Sequence, residues 1–554
     1  MSSWKTIFRA SLALALLGGG SALAQNPIEV ERLEALDPLE VGLPGGALPN
    51  RLWAGTGNAL AARVLTGLPE AGGDGYSSET VAELARAILV SGGRPPEGAR
   101  GNSDLALLRV DRLLAASGAE DAFDLLERTP GINRRPGLAR WHAELGFALG
   151  HSERACRTAE ALVEGRDTAY WLRVRAFCLV LQDRAAAAEL TAELARGQGE
   201  DEGFDARLYA LTLDTPLSED APGADTGLEW AMDLHRNAGG DDMALHLSAD
   251  APAWLRAVAQ DAGQEERSEP VADPVAALVA AQGMEGMERH RALEAVLAQG
   301  RDREMSARAL GLLLADAGRG ARFVHVARHQ GREIDSLPIT AATLEHGYEI
   351  ALAAVLVGDL RSARVWRDAL IEGPPRAVPA TPMPGMDGIP ADAAKPQAGM
   401  PDPLAGPMPE PEWTPPSPRR MVALDLALAL AADRMTGGGF EAVFAAWSES
   451  AGTAALADRL ALARLGAPAG GDALRLALLE AEPAPAMAGP AALDAAVRAN
   501  AQAEAALLAV AILDDPAAGA DPDAFSRAIA ALDAVGLRRQ ALAIMVERVV
   551  QRAL

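Results

Sequence analysis

Residues 137–197 read GLARWHAELGFALGHSERACRTAEALVEGRDTAYWLRVRAFCLVLQDRAAAAELTAELARG, and this stretch decides the fold class. It contains one helical hairpin pattern twice, with Trp141 and Trp171 thirty positions apart and Phe147 and Phe177 at the same separation. Self-similarity of this kind is typical of stacked supersecondary units. The sequence therefore predicts an array of paired helices.

Two stripes of residues in this stretch predict which helix faces meet. Each stripe recurs with the period of an α-helix. The first comprises Trp171, Val174, Cys178 and Leu181, and the second comprises Ser152, Cys156, Ala159 and Val163. The second stripe consists of small residues, so another helix can approach it closely. We expect the two stripes to pack against each other.

The chain contains two cysteines, and both lie on these stripes. Antiparallel helices would hold Cys156 and Cys178 at nearly the same height, because an α-helix rises ~1.5 Å per residue. A disulfide then requires their Cα atoms to lie within about 7 Å of each other. The alternatives are two buried free thiols, or a catalytic Cys156 assisted by His142 or His151. We favour the disulfide.

The predicted helix starts continue the repeat beyond this stretch. The first and second helices of three successive pairs are expected to start at residues 104 and 119, 137 and 152, and 168 and 184. This spacing is close to the period of tetratricopeptide repeats, which is about 34 residues. Helical periodicity weakens over 214–272 and returns after it, with single helices expected at 340–357 and 491–512.

The array resembles a tetratricopeptide-like α-solenoid. Three positions carry the resemblance here: Trp171 resembles the family's tryptophan, Asp183 its turn aspartate and Ala187 its small residue in the second helix. A second stretch carries the resemblance through Ala351, Gly358, Asp359 and Ala363. The resemblance implies stacked antiparallel hairpins that present a surface to protein or peptide partners.

Composition agrees with an all-α fold. Of the 554 residues 49% are hydrophobic but only 4% are aromatic, so the apolar content is mostly Ala and Leu. Such a composition favours close-packed helices, and the alternating patterns of strands are nearly absent. We predict an α-solenoid in two helical segments that are separated by a proline-rich linker.

The predicted organisation has five parts. They are a signal peptide at 1–24, an irregular lead-in at 25–50, the solenoid at 51–372, a disordered linker at 373–418 and a C-terminal helical domain at 419–554. Residues 374–418 hold fifteen prolines, which cannot sustain helical hydrogen bonds. Trp413, near the end of the linker, is a candidate short docking motif.

The N-terminal segment predicts export. Lys5 and Arg9 precede an apolar run that ends in small residues, so a signal peptidase is expected to cleave between Ala24 and Gln25. The alternative, a retained membrane anchor, is disfavoured because three glycines interrupt the run. A periplasmic or secreted protein meets an oxidising environment, which favours the disulfide.

Charge excludes several classes of partner. The formal net charge is −25, and cleavage would remove Lys5 and Arg9 but no acid, leaving −27. Attraction to nucleic acid or anionic lipid is therefore disfavoured. Apart from Lys5, the only lysine is Lys395, so a Walker-type phosphate site is excluded.

We predict no metal site and no cofactor. His325 and His329 share a helix face and His346 follows, but a zinc site needs three or four ligands with supporting carboxylates. Three nearby arginines, Arg322, Arg328 and Arg332, would oppose a cation. A solvated or capping role is favoured for the histidines.

The leading functional hypothesis is a noncatalytic exported scaffold or adaptor for protein or peptide partners in the cell envelope. One alternative is a peptidoglycan hydrolase positioned by the solenoid, since Glu449-Ser450 resembles the catalytic pair of lytic transglycosylases. Another is a structural component that self-assembles in the envelope. Sequence leaves the partner and the oligomeric state open.

Overall fold

The computed structural model describes most of the chain, and all structural statements below concern this part. The described residues are 36–48, 50–218, 220–237, 247–266, 273–299, 302–374, 413–467, 488–517 and 521–554. Within them the fold is all-α, and the β-structure consists of four isolated bridges, such as Gly57 with Glu97. The predicted all-α class is therefore confirmed.

The described ranges contain twenty-five α-helices, which we number in chain order. They are α1 Asn58–Thr66, α2 Glu79–Leu89, α3 Ser103–Ala115, α4 Ala119–Glu127, α5 Pro136–Ala148, α6 Ser152–Ala161, α7 Ala169–Val180, α8 Ala185–Arg196, α9 Glu202–Leu213, α10 Gly227–Asn237, α11 Ala253–Glu266, α12 Pro274–Gln282, α13 Gly286–Gln299, α14 Arg303–Ala317, α15 Ala321–Gln330, α16 Ala341–Leu344, α17 Gly347–Leu356, α18 Leu360–Glu372, α19 Pro418–Ala431, α20 Gly438–Ala451, α21 Leu456–Arg464, α22 Ala488–Arg498, α23 Gln502–Asp514, α24 Pro522–Ala534 and α25 Arg538–Ala553.

Consecutive helices pack as pairs. The pairs are α3 with α4, α5 with α6, α7 with α8, α9 with α10, α12 with α13, α14 with α15, α17 with α18, α19 with α20, α22 with α23, and α24 with α25. Successive pairs also contact each other, for example through α4 and α5 or α6 and α7. Each amphipathic helix thus buries its apolar face against its partner and the next pair.

One backbone turn recurs at the ends of nine described helices. A residue with positive φ is followed by a residue whose N–H donates to the carbonyl five positions earlier, over 2.6–3.1 Å. The positive-φ residues are Ser117, Gly150, Asp183, Asp214, Gly358, Asp433, Gly466, Asn500 and Gly536. This is the Schellman arrangement, which satisfies the last carbonyls of a helix.

The positions of these turns reveal the repeat. They fall at 117, 150, 183 and 214 in the first part of the chain and at 433, 466, 500 and 536 in the last. Within each group the intervals between turns are 31–36 residues, close to the spacing of 31–33 residues between the predicted helix starts. The chain is therefore a helical repeat on both sides of the proline-rich segment.

Three sequence expectations need correction. The helix expected at 340–357 is two helices: a capping box at Thr340 starts a single turn that ends at Leu344, and a new helix begins at Gly347 after its N-cap His346. The helix expected at 491–512 is likewise divided, since Asn500 adopts positive φ. In the weakly periodic region 214–272 the described residues contain two helices, α10 and α11, and the polar residues 261–266 belong to α11.

The helices that flank the proline-rich segment pack directly on each other. Helices α18 and α19 are in contact, and Arg367 donates two hydrogen bonds to Asp425, at 2.8 and 3.2 Å. A Cβ atom placed on Gly373 would lie 3.1 Å from Cδ1 of Trp413, so the described ends of this segment meet. The proposed domain boundaries and linker remain predictions.

Helices near the two ends of the described chain also contact each other. Helix α2 packs against α23 and α25, and Ser77 donates its backbone N–H to Asp514 over 2.8 Å. Buried Arg109 on α3 donates to the carbonyls of Leu39, Leu89 and Ser91, which holds the irregular N-terminal segment in place. Within the described ranges, every helix is too short or too polar to cross a bilayer.

Candidate functional site

The predicted disulfide is present between Cys156 of α6 and Cys178 of α7. The two Cα atoms are 5.7 Å apart, within the range that a bridge requires. The bridge joins the second helix of one pair to the first helix of the next, as the stripes predicted. Val163 departs from its stripe and is 59% exposed, because α6 ends at Ala161 and Leu162 takes the buried place.

A pair of phenylalanine rings, tilted by 58° to each other, also joins the two repeat units. Phe147 and Phe177, which occupy equivalent positions, lie 5.6 Å apart between ring centroids. Of the small residues in α8, Ala188 is fully buried, whereas Ala187 is only partly buried. The buried small residue is therefore Ala188, one position after the Ala187 that the family resemblance indicates.

A cleft of about 440 Å³ lies on the first helices of two successive pairs. Its floor is formed by α5, where Gly137, Arg140, Trp141 and Glu144 share one helix face, and by Leu107 and Asp111 of α3. A Cβ on Gly137 would lie 2.7 Å from Cδ1 of Leu107, so glycine lets the two helices approach closely.

Two tryptophans form the apolar part of this cleft. The rings of Trp141 and Trp254 meet edge to face, with centroids 6.0 Å apart. Trp254 belongs to α11, which packs against both α3 and α5 and closes one side. Edge-to-face indoles give a rigid apolar wall that loses little entropy on binding a ligand.

Glu144 is a buried carboxylate at the base of the cleft. Its Oε2 accepts backbone hydrogen bonds from Gly227 at 2.8 Å and Leu228 at 3.3 Å, at the start of α10. Burial raises the pKa of Glu144 above its usual value. Beside it, burial and the charge of Glu144 raise the pKa of Tyr170, whose ring lies 4.6 Å from the Arg140 guanidinium carbon.

Two further carboxylates line the cleft. Asp111 on α3 accepts a hydrogen bond from Arg112 at 2.7 Å, and burial raises its pKa. Asp225 lies on the loop before α10 and is exposed. Its backbone N–H donates to Glu229 over 3.0 Å. Burial of Glu229 raises the pKa of that carboxyl to about 7.

This arrangement can receive a cationic group. The residues that line the cleft include three carboxylates, those of Asp111, Glu144 and Asp225, but a single guanidinium, that of Arg140. Asp111 is already paired with Arg112, and Glu144 is buried. A cation entering the cleft would therefore meet the exposed carboxylate of Asp225 and lie near an indole face.

The other sequence-predicted residues lie apart from this cleft. Trp413 is half-buried against the chain's own core beside Gly373, and its use by a partner remains a prediction. Glu449 is exposed on α20, and Ser450 donates to the carbonyl of Trp447 at 3.0 Å. The cleavage site at Ala24 and Gln25 is outside the described residues.

Four histidines of the sequence analysis lie at three separate places. His325 and His329 lie together on α15. His346 precedes α17 and packs against Gly311, where an added Cβ would lie 2.4 Å from the His346 Cβ. His142 is a core residue whose Nε2 lies 2.8 Å from a carboxylate oxygen of Glu127 and whose Nδ1 lies 2.9 Å from the hydroxyl of Thr158. Burial lowers the pKa of His142.

Sequence reasoning missed the cleft itself. The residues Gly137, Arg140, Trp141 and Glu144 follow a 0, +3, +4, +7 pattern that marks one face of α5, and this mixed polar and aromatic face was the available signal. Asp225 and Trp254 carried no such signal, because they lie in the weakly periodic region. Comparison with protein families, curated proteins and solved structures finds no match to this chain.

Proposed function

We propose that the protein is a noncatalytic exported scaffold that binds a protein or peptide partner in the cell envelope. The cleft on α3 and α5 receives a basic side chain of that partner. One observation carries the proposal: two tryptophans and an excess of carboxylates line a cleft on the first helices of successive repeat units. Cation recognition by indole and carboxylate is well suited to arginine or lysine.

The proposal includes a tetratricopeptide-like α-solenoid as the architecture. Recurrent Schellman turns at intervals of 31–36 residues support it, as do paired helices throughout the described ranges. In such arrays the first helices of successive pairs line a shared surface, which suits an extended ligand. The cleft then represents one binding position along that surface.

The proposal places the protein in the periplasm or outside the cell. The disulfide between Cys156 and Cys178 supports an oxidising compartment, and so does the signal-peptide pattern of residues 1–24. A net charge of −25 adds long-range attraction for basic partners over acidic ones.

Matched peptide libraries test the proposed ligand class. Short random peptides with a fixed central arginine are compared with libraries that carry norleucine or glutamate at that position. We expect retention of the arginine library alone, and about fivefold weaker binding by Asp225→Asn, equivalent to roughly 1 kcal/mol. Glu153→Gln serves as the control, because it removes one exposed charge on α6, outside the cleft.

Two outcomes would refute the proposal. Equal retention of the norleucine library would show that no cation is recognised. Equal weakening by Glu153→Gln and Asp225→Asn would show that net charge, and not the cleft, determines binding.

A further inference from the structure

Two histidines and a glutamate from distant parts of the chain meet at one surface. His325 and His329 lie on successive turns of α15, with ring centroids 4.1 Å apart. Glu79 begins α2, and its two carboxylate oxygens each lie 3.9 Å from the Nδ1 atom of one of the histidines. One ligand atom of each residue lies within 4.8 Å of the other two.

We propose that Glu79, His325 and His329 form a binding site for Zn²⁺ or a similar transition-metal cation. Imidazole and carboxylate are ordinary zinc ligands, with bonds of about 2.0–2.2 Å. Tetrahedral bonds of that length place ligand atoms ~3.3 Å apart, whereas the present ligand atoms lie within 4.8 Å of one another, so they must approach by roughly 0.5–1.5 Å. Rotation of the side chains supplies this movement, since the histidines are 58% and 40% exposed. Use of Nδ1 of His329 would break its 3.0 Å hydrogen bond to the His325 carbonyl, and its Nε2 is the alternative ligand atom.

The ligand set selects the class of metal. Calcium and magnesium prefer sites made of oxygen atoms, whereas two imidazoles favour zinc, copper or nickel. Three protein ligands leave a fourth position on the exposed side for water. The arrangement therefore suits an accessible, exchangeable ion.

The charges around the cluster also permit a cation. Arg328, which the sequence counted against a metal, forms an ion pair with Glu83 and donates to the Thr80 hydroxyl over 2.6 Å. Burial raises the pKa of Glu79. The positive charges of Arg328 and His329 lower this pKa, and the carboxylates of Glu83 and Glu547 raise it. Arg322 lines a separate cleft with Asp316, and the side chain of Arg332 is outside the described residues.

The cluster lies where three helices meet. Ser78 donates to Glu547 of α25 over 3.0 Å, directly beside Glu79, and Thr80 donates to the same carboxylate. A metal bound by Glu79 and the two histidines would therefore link α2 to α15 beside the existing contact with α25. Binding to the folded chain alone stabilises it by mass action.

Zinc titration of the whole exported chain tests the site. The protein is purified without a histidine tag, dialysed against chelator, and titrated with ZnCl₂ and separately with CaCl₂ by calorimetry. We expect one zinc equivalent, no calcium binding and a zinc-dependent rise in Tm. Glu79→Gln and His325→Gln should each weaken zinc binding at least tenfold and abolish the rise in Tm.

Controls separate ligand loss from damage to the fold. His151→Gln removes an exposed histidine immediately before α6 and should leave the zinc affinity unchanged. His325 is the more exposed ligand, so its replacement keeps the test valid if Glu79→Gln disturbs the α2 junction. Zinc binding that is absent from the wild type, or equal in wild type and both ligand variants, would overturn the proposal.

Discussion

At the scale of single residues, the carboxyl group of Glu229 makes stability depend on pH. Its folded pKa of about 7 exceeds the ordinary value of 4.5 because the group is buried. Between these pH values the folded chain holds a proton that the unfolded chain has lost. Stability should therefore fall as the pH rises through this window, by up to about 3 kcal/mol.

The variant Glu229→Gln should remove this dependence, because glutamine does not titrate. Its side-chain oxygen can still accept the backbone N–H of Asp225 that Glu229 accepts at 3.0 Å. Urea unfolding at pH 5 and pH 8 measures the effect, and the variant should lose less stability between them than the wild type. An unchanged difference would show that Glu229 titrates normally.

The disulfide contributes at the same scale. Replacing both Cys156 and Cys178 with alanine should lower the free energy of unfolding by about 3 kcal/mol, since the bridge closes a loop with a sequence separation of 22. Denaturant unfolding gives the value, and reduced wild type provides the control. A double variant as stable as the oxidised wild type would exclude a stabilising bridge.

At the scale of helices, the recurrent turn predicts substitutions of opposite sign. Asp183 has a φ of 58° in a conformation that favours glycine, so Asp183→Gly should stabilise the chain by up to about 1 kcal/mol. Gly150 has a φ of 77° with open space around it, so Gly150→Ala should cost about 1 kcal/mol. Thermal unfolding measures both changes.

Gly199→Ala is the matched control for the turn. Gly199 also has open space around it but does not adopt a left-handed φ, so alanine should be nearly neutral there. Equal losses from Gly150→Ala and Gly199→Ala would show that the turn conformation is not the cause.

Periodicity predicted the helices well where local chemistry determines them. The starts of α4 at Ala119 and α6 at Ser152 were both expected, because the helical period and its repeat are visible in sequence. The division at Asn500 was missed, since asparagine in a left-handed conformation looks like any polar helix residue. Contacts between distant segments, such as Glu79 with His329, leave no local pattern at all.

At the scale of the whole molecule, the proline-rich segment is inserted between helices that pack together. Limited proteolysis should cut first within 374–418, but the two fragments should stay associated. Contacts of α17 and α18 with α19, including the hydrogen bond from the Tyr348 hydroxyl to the Arg420 carbonyl at 3.0 Å, hold them. Size-exclusion chromatography of the nicked protein, with and without urea, gives the answer. Separate elution under native conditions would contradict this packing.

The cleft is the other feature that emerges at this scale, because α3, α5 and α11 meet only in the folded chain. Trp141 and Trp254 lie more than a hundred positions apart in sequence, yet the centroids of their rings are 6.0 Å apart. Sequence could place Trp141 on a helix face, but it could not identify α11 as the wall opposite. Export and partner binding were inferred from sequence patterns, and the cleft adds a location at which binding can be tested.

Photo-crosslinking in cells tests the central claim most directly. A benzoylphenylalanine at Gly72, on the rim of the cleft, extends over it without displacing any atom, because a Cβ there has open space. Gly199 has equally open space but lies outside the lining and gives the matched control. We predict one discrete adduct from position 72, absent from position 199 and reduced when Asp225→Asn is added. No adduct at 72, or the same adducts at both positions, would contradict a partner-binding role for this cleft.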